Sequence, residues 1–193
     1  MKLPGYSGHK SSAVTWLGEI ADGWDVRPIK YIVATPVTDG PHATPDIFQE
    51  GIPFVSAEAI KHGKIDFDKI RGHITEDDHN LFSKKYKPQR GDIFLVKSGA
   101  TTGRVAIVET DAEFNIWSPL AAIRCEPKTV DRYFLFFYLQ SEEFQTGIEL
   151  GWNFGTQQNI GMGVIGNLVR LHRRSVLAIL QVSRSHLVLL CRS

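Results

Sequence analysis

The sequence predicts a mixed α/β domain of the α+β type, and three features carry that expectation. The first is a hairpin. Ile93 to Val96 is an apolar run of strand length, Lys97 to Gly103 is small, polar and Gly-rich, and Arg104 to Val108 is β-branched. The second is a series of further short strand patterns set apart by Gly, Pro and Asp. The third is a pair of helical regions, one opened by Thr75-Glu-Asp-Asp and one made of the apolar run Asp131–Gln140 and a continuation capped by Ser141. At 193 residues the chain has room for one sizeable domain and an appendage. A hydrophobic share of 42% with 17 Gly and 9 Pro fits a loop-rich globular protein and excludes a fibrous or low-complexity one.

Taken in order, Met1 to about Ala13 is polar and reads as a flexible N-terminal arm, not a signal peptide. Val14 to Trp24 suits an ordered entry loop. Asp25 to Ala34 suits a short strand followed by one helical turn around Ile29–Ile32. Asp39 to Pro45 (Asp-Gly-Pro-His-Ala-Thr-Pro) is a turn cluster that puts His42 and Thr44 at the surface. Gly51–Ser56 is a strand whose Pro53 suggests a sheet edge or bulge. Ala57–Ile60 suits a helical turn, and Gly63–Phe67 alternates like a strand.

Thr75 caps a helix that Pro88 stops. Lys84, Lys85 and Lys87 suit its C-terminal end as dipole partners and solvated surface. Phe114–Cys125 is a strand region broken at Pro119. Asp131–Gln140 is apolar enough for a buried helix whose aromatics fill a core. A second helix runs from the Ser141 cap to Leu150. Gly151–Gly163 is another Gly-rich polar loop, and Val164–Leu171 closes with a short helix or turn and a strand.

Charge narrows the function. Residues 170–193 contain five arginines and no acid, which leaves 17 basic against 21 acidic residues in 1–169, a net of −4. Bulk electrostatics therefore does not make the main body a nucleic-acid binder, and any such contact must be a local patch. Cys125 and Cys191 are the only cysteines, with no spacing suited to zinc, so no metal site is expected and a reducing cytoplasm fits. No apolar run approaches the length of a membrane span.

The hairpin loop would carry Ser98, Thr101, Thr102 and Arg104 on a rigid base. Hydroxyls, backbone N–H groups and a guanidinium suit a phosphate backbone or base edges. The alternative is an ordinary turn whose threonines bond their own backbone, with Arg104 paired to an acid such as Asp92. A nucleotide P-loop is excluded: three residues, not four, separate Gly99 from Gly103, Arg104 stands in place of the lysine, and a strand follows. In the second loop, Gln157, Gln158 and Asn159 are amides, the natural bidentate readers of adenine.

Six segments occur in one order: Trp16-Leu-Gly-Glu-Ile20; Asp39-Gly40-x-His42-x-Thr44-Pro45; Gly51-Ile-Pro-Phe-Val-Ser56; Gly63-x-Ile65-Asp66-Phe67; Gly91-Asp92-Ile93 leading to Ser98-Gly-Ala-Thr-Thr-Gly-Arg104; and Gly155-Thr-Gln-Gln-Asn-Ile-Gly161. Over about residues 15–169 this series resembles the target recognition domain of the specificity subunit of type I restriction–modification enzymes. The resemblance implies a mixed, largely antiparallel twisted sheet with flanking helices. It implies a subunit without catalytic activity that reads half of a split target in double-stranded DNA. Modification (methyltransferase) and restriction (motor–nuclease) subunits would be its partners. S-adenosylmethionine, Mg and ATP would belong to those partners and not to this chain. The residues expected at DNA are His42 and Thr44; Lys97, Ser98, Thr101, Thr102 and Arg104; and Trp152, Asn153, Gln157, Gln158 and Asn159.

The chain departs from the family pattern after Val169. The family has a Pro-Pro-x-x-Glu-Gln type segment opening a long spacer helix, whereas residues 170–193 are basic and apolar with no acid or proline. The expectation is a recognition domain over 14–169 followed by an atypical tail, in a shortened or frameshifted member. Such a chain would bind DNA weakly and would not assemble stably with a modification subunit. A degenerate, non-assembling fragment is one alternative. A small hydrolase or transferase using His42 or His73 with Asp77 or Asp78 and Ser98 is another, without a nucleophile elbow to support it.

Overall fold

In a computed structural model of the protein, residues 8–15, 17–150 and 159–173 are described. The strands are β1 (His9–Ser11), β2 (Glu19–Ala21), β3 (Trp24–Pro28), β4 (Thr38–Asp39), β5 (Ile52–Val55), β6 (Ile60–Lys61) and β7 (Lys64–Ile65). They continue as β8 (Gly72–Ile74), β9 (Ile93–Val96), β10 (Val105–Ile107), β11 (Asn115–Ile116), β12 (Leu120–Ile123) and β13 (Val169–Arg173). The helices are α1 (Glu76–Ser83), α2 (Arg132–Tyr138), α3 (Glu142–Leu150) and α4 (Met162–Asn167).

A four-stranded antiparallel sheet ordered β10-β9-β12-β4 lies at the centre. Alternation along β9 explains its uninterrupted apolar sequence. Ile93 and Leu95 enter one buried cluster with Ile29, Leu135, Phe144, Ile148 and Ile165. Phe94 and Val96 enter a second with Val55, Ile60, Tyr86, Phe114 and Ile116. Both faces of the sheet are thus covered, by helices on one side and on the other by a three-stranded sheet, β11-β5-β8, and the β6–β7 hairpin. A strand with no wet face has no use for alternation with polar residues.

The helix starts are fixed by side-chain caps, at Thr75 as the sequence displays and at Asp131 as the structure adds. The Thr75 hydroxyl accepts from the Asp78 backbone N–H at 3.1 Å and donates to the Asp78 carboxylate. Asp131 accepts from the N–H groups of Tyr133 and Phe134, each at 2.9 Å. Pro119 separates β11 from β12, and the two strands join different sheets.

Several expectations are corrected. His9–Ser11, inside the span expected as a flexible arm, form β1, which pairs with β2 in the segment read as an entry loop. Gly63–Phe67 is not one strand. His62 (φ 49°) and Gly63 (φ 77°) make a two-residue turn between β6 and β7, the doubly left-handed geometry that hairpins prefer. Pro53 sits in the middle strand of its sheet, not at an edge. It is tolerated because the β11 ladder reaches only Phe54 and Val55. Arg170–Arg173, which composition places in the tail, are the end of β13, paired with β3 in the register Val169 to Pro28 through Arg173 to Trp24. Lys85 is not merely solvated surface: its ammonium lies 2.5 Å from the Asp39 carboxylate.

Candidate nucleic-acid interface

At one end of the central sheet β9 finishes at Val96, Leu120 begins β12 opposite it, and Asp39 of β4 pairs with Ala121. Every loop leaving that end is therefore brought beside the others. The Lys97 N–H donates to the Pro119 carbonyl at 2.8 Å, and the Lys97 carbonyl accepts from the Ile160 N–H at 2.8 Å. Ser98 and Asn159 form an isolated antiparallel bridge. Two Gly-rich loops some sixty residues apart in sequence are thus stitched together by backbone.

Asp39 ties in the third loop. It is buried, and one carboxylate oxygen lies 3.4 Å from the Lys97 ammonium and 3.3 Å from His42 Nε2, while the other bonds Lys85. Lys85 also donates to the Gly40 carbonyl at 2.9 Å. Burial acts to raise the Asp39 carboxyl, but the Lys85 hydrogen bond and the charges of Lys85, Lys97 and His42 outweigh it and hold it below its ordinary 3.8. The reading of Asp39 as a turn residue and of Lys85 as a helix end missed this junction, because their partners are remote in sequence.

The sequence-predicted residues divide by environment. His42 and Thr44 are exposed on the Asp39–Pro45 loop. Lys97 is buried, with its charge directed to Asp39. The Thr102 hydroxyl donates to the Gly99 carbonyl at 2.7 Å, closing the turn in the way a purely structural threonine would. Among the described residues the hydroxyls of Ser98 and Thr101 have no hydrogen-bond partner, and no acid lies within 4 Å of the exposed Arg104 guanidinium. Asp92, the suggested partner of Arg104, instead takes two hydrogen bonds from Arg124. Asn159 is exposed beside Ser98. Trp152, Asn153, Gln157 and Gln158 lie outside the described residues.

The constellation of a small hydrolase is not assembled. His73 is in β8, Asp78 is engaged with Thr75, and Ser98 belongs to the hairpin loop, with no hydrogen bond joining them among the described residues.

Two further residues shape the site and carry only a weak sequence signal. The Gln145 side chain of α3 donates to the carbonyls of Gly103 (3.0 Å) and Leu139 (2.7 Å), pinning the far end of the hairpin loop. Gly40 packs so tightly that an added Cβ would stand 1.9 Å from the Ile116 carbonyl oxygen. Gly40→Ala is therefore expected to displace the His42 loop and cost about 1–3 kcal/mol. A melting curve superimposable on that of the parent protein would contradict this packing.

No family model matches the chain. The MjaX type I restriction enzyme specificity subunit of Methanocaldococcus jannaschii is 31% identical over 129 residues, covering 65% of this chain and 30% of the relative. The EcoBI type I restriction enzyme specificity subunit of Escherichia coli is 30% identical over 129 residues, covering 66% and 27%. The chain thus spans less than a third of the length of these curated relatives. Among solved structures, the type I restriction–modification S subunit of M. genitalium superposes with a TM-score of 0.53 at 19% identity, over 77% of this chain and 34% of that one. The HsdS subunit of Thermoanaerobacter tengcongensis gives 0.54 at 16%, over 78% and 38%. A structure concerned with complex assembly and conformational transition of the type I system gives 0.56 at 15%, over 79% and 38%. The likeness extends to the mixed sheet-and-helix fold.

Proposed function

We propose that this chain, a relative of the type I restriction enzyme specificity subunits, is a DNA target recognition domain that reads one half of a split double-stranded site and performs no chemistry itself. The observation that carries the reading is the convergence, at one sheet end, of the Asp39–Pro45 loop, the hairpin loop and Asn159, through the Asp39 ion pairs and the Ser98–Asn159 bridge. A site on paired strands holds its side chains at fixed spacing, which base readout requires. Methylation and cleavage would then belong to modification and motor–nuclease subunits, together with their S-adenosylmethionine, Mg and ATP.

The direct test is selection from a randomised duplex pool. Enrichment of one short motif supports the reading, and a pool that emerges unenriched at every ionic strength defeats it. Within the site, Arg104→Ala should lower the slope of log affinity against log salt by about 0.9, one phosphate contact on B-DNA, with stability changed by less than about 0.5 kcal/mol. An unchanged slope with a lower melting temperature would make Arg104 a structural residue. Replacing Gln157 or Gln158 by Ala should relax preference at a single base pair by ~1–3 kcal/mol. Equal weakening on all sequences would mean that these amides only shape the loop.

A further inference from the structure

Beside the hairpin loop lies a cleft of about 680 Å³ in which two expected contacts, Thr102 and Arg104, meet residues that the sequence did not single out. Its walls are the β6–β7 turn (Lys61, His62), the end of the hairpin loop (Thr102, Arg104) and the α2–α3 region (Gln140, Gln145). No acid lines it, in a body whose residues 1–169 carry a net charge of −4. Lys61 is 3.7 Å from Asp66, a long contact at a partly exposed position, and His62 and Arg104 are exposed. The two glutamine amides are committed to backbone carbonyls of Phe136, Gly103 and Leu139. They build the wall and leave the basic side chains to face a ligand.

The cleft is held rigidly. Gly63 forms a parallel bridge to Ala106, and its carbonyl accepts from the Ile107 N–H at 3.2 Å, which clamps the turn onto β10. The turn holds His62 in the left-handed region, which histidine visits more readily than most non-glycine residues, and so fixes where its imidazole leaves the backbone.

We propose that this cleft is a phosphate-holding subsite. Lys61, His62 and Arg104 would grip the DNA strand flanking the bases that the three loops read. The proposal rests on the DNA-recognition reading and adds to it a fourth segment, the β6–β7 turn. It fixes register and contributes nothing to base preference.

The test uses the full chain and a mixed-sequence duplex of about thirty base pairs, roughly three turns of B-DNA, with affinity measured by fluorescence anisotropy across a salt series. Lys61→Gln should reduce the salt slope by about 0.9, and Lys61→Gln with Arg104→Gln by about twice that, with the ranking of different duplexes preserved. Glycine adopts the left-handed backbone of this turn freely, so His62→Gly should leave stability nearly unchanged while affinity falls roughly tenfold, about one hydrogen bond to a charged group. Inorganic phosphate should compete only through its ionic strength.

A wild-type slope in the Lys61 variant, or unaltered affinity in His62→Gly, overturns the subsite while leaving the DNA reading intact. Specific competition by free phosphate overturns the assignment to a DNA strand. A wild-type chain indifferent to every duplex removes the DNA-recognition reading, and the subsite with it.

Discussion

Asp92→Ala should cost about 3–5 kcal/mol, the range for removing one member of a buried, hydrogen-bonded ion pair. Asp92 is 2% exposed and lies in the turn that launches β9. It accepts from Arg124 Nε at 2.8 Å and Nη2 at 2.7 Å, from the Tyr86 hydroxyl at 2.5 Å and from the Gln89 N–H at 2.8 Å. Burial, reinforced by the Asp92 charge, pushes the Tyr86 hydroxyl far above its ordinary value, so it stays a neutral donor throughout the physiological range. Removing the carboxylate strands four donors of three residues in one place. Tyr86→Phe removes only one bond and should cost about 1 kcal/mol. Urea midpoints of the two variants provide the check, and equal midpoints would show that the network is not centred on Asp92.

The second large effect is expected at Asp39. Asp39→Ala leaves the Lys97 ammonium buried without its anion and should also cost about 3–5 kcal/mol at neutral pH. If the cost comes from that stranded charge, adding Lys97→Met should restore a substantial part of it, whereas independent roles would make the two losses add. Because the folded carboxyl titrates below 3.8, its contribution is complete above that pH and is shed as acidity carries the protein through the depressed folded value. The parent protein should therefore lose stability in that acid range, and the Asp39→Ala variant should show a shallower loss there. Identical acid profiles would disprove the electrostatic account. Since Asp39 also orients His42 and links two loops, the variant should bind DNA more weakly even when assayed well below its melting point.

What the sequence reveals is mostly local. Ile93–Val96 is legible as a buried strand because four consecutive apolar residues satisfy both faces of a covered sheet. The caps at Thr75 and Ser141 are legible because their partners lie three residues away. The convergence of the loops is not legible in this sense. Each loop shows its polar residues, but the Lys97–Asp39 contact spans 58 positions, and no pattern within either segment announces it. Composition also misleads at residue 170. The shift to basic and apolar residues marks no structural boundary, because strand pairing with Trp24–Pro28 depends on backbone and register. The His62-Gly63 turn was readable in principle, since a residue tolerant of the left-handed region precedes a glycine, but the alternation of the following residues concealed it.

The pairing of β3 with β13 has a consequence for how such a unit travels between proteins. Trp24 lies opposite Arg173, so the two ends of the segment 24–173 are neighbouring points on a single two-stranded ribbon. A segment with adjacent ends can be spliced into a host at one seam, without the host having to span the width of the insert. Residues 24–173 therefore have the geometry of an exchangeable cassette. The joint is made by backbone pairing of β3 with β13, so it does not depend on which side chains the loops between them carry.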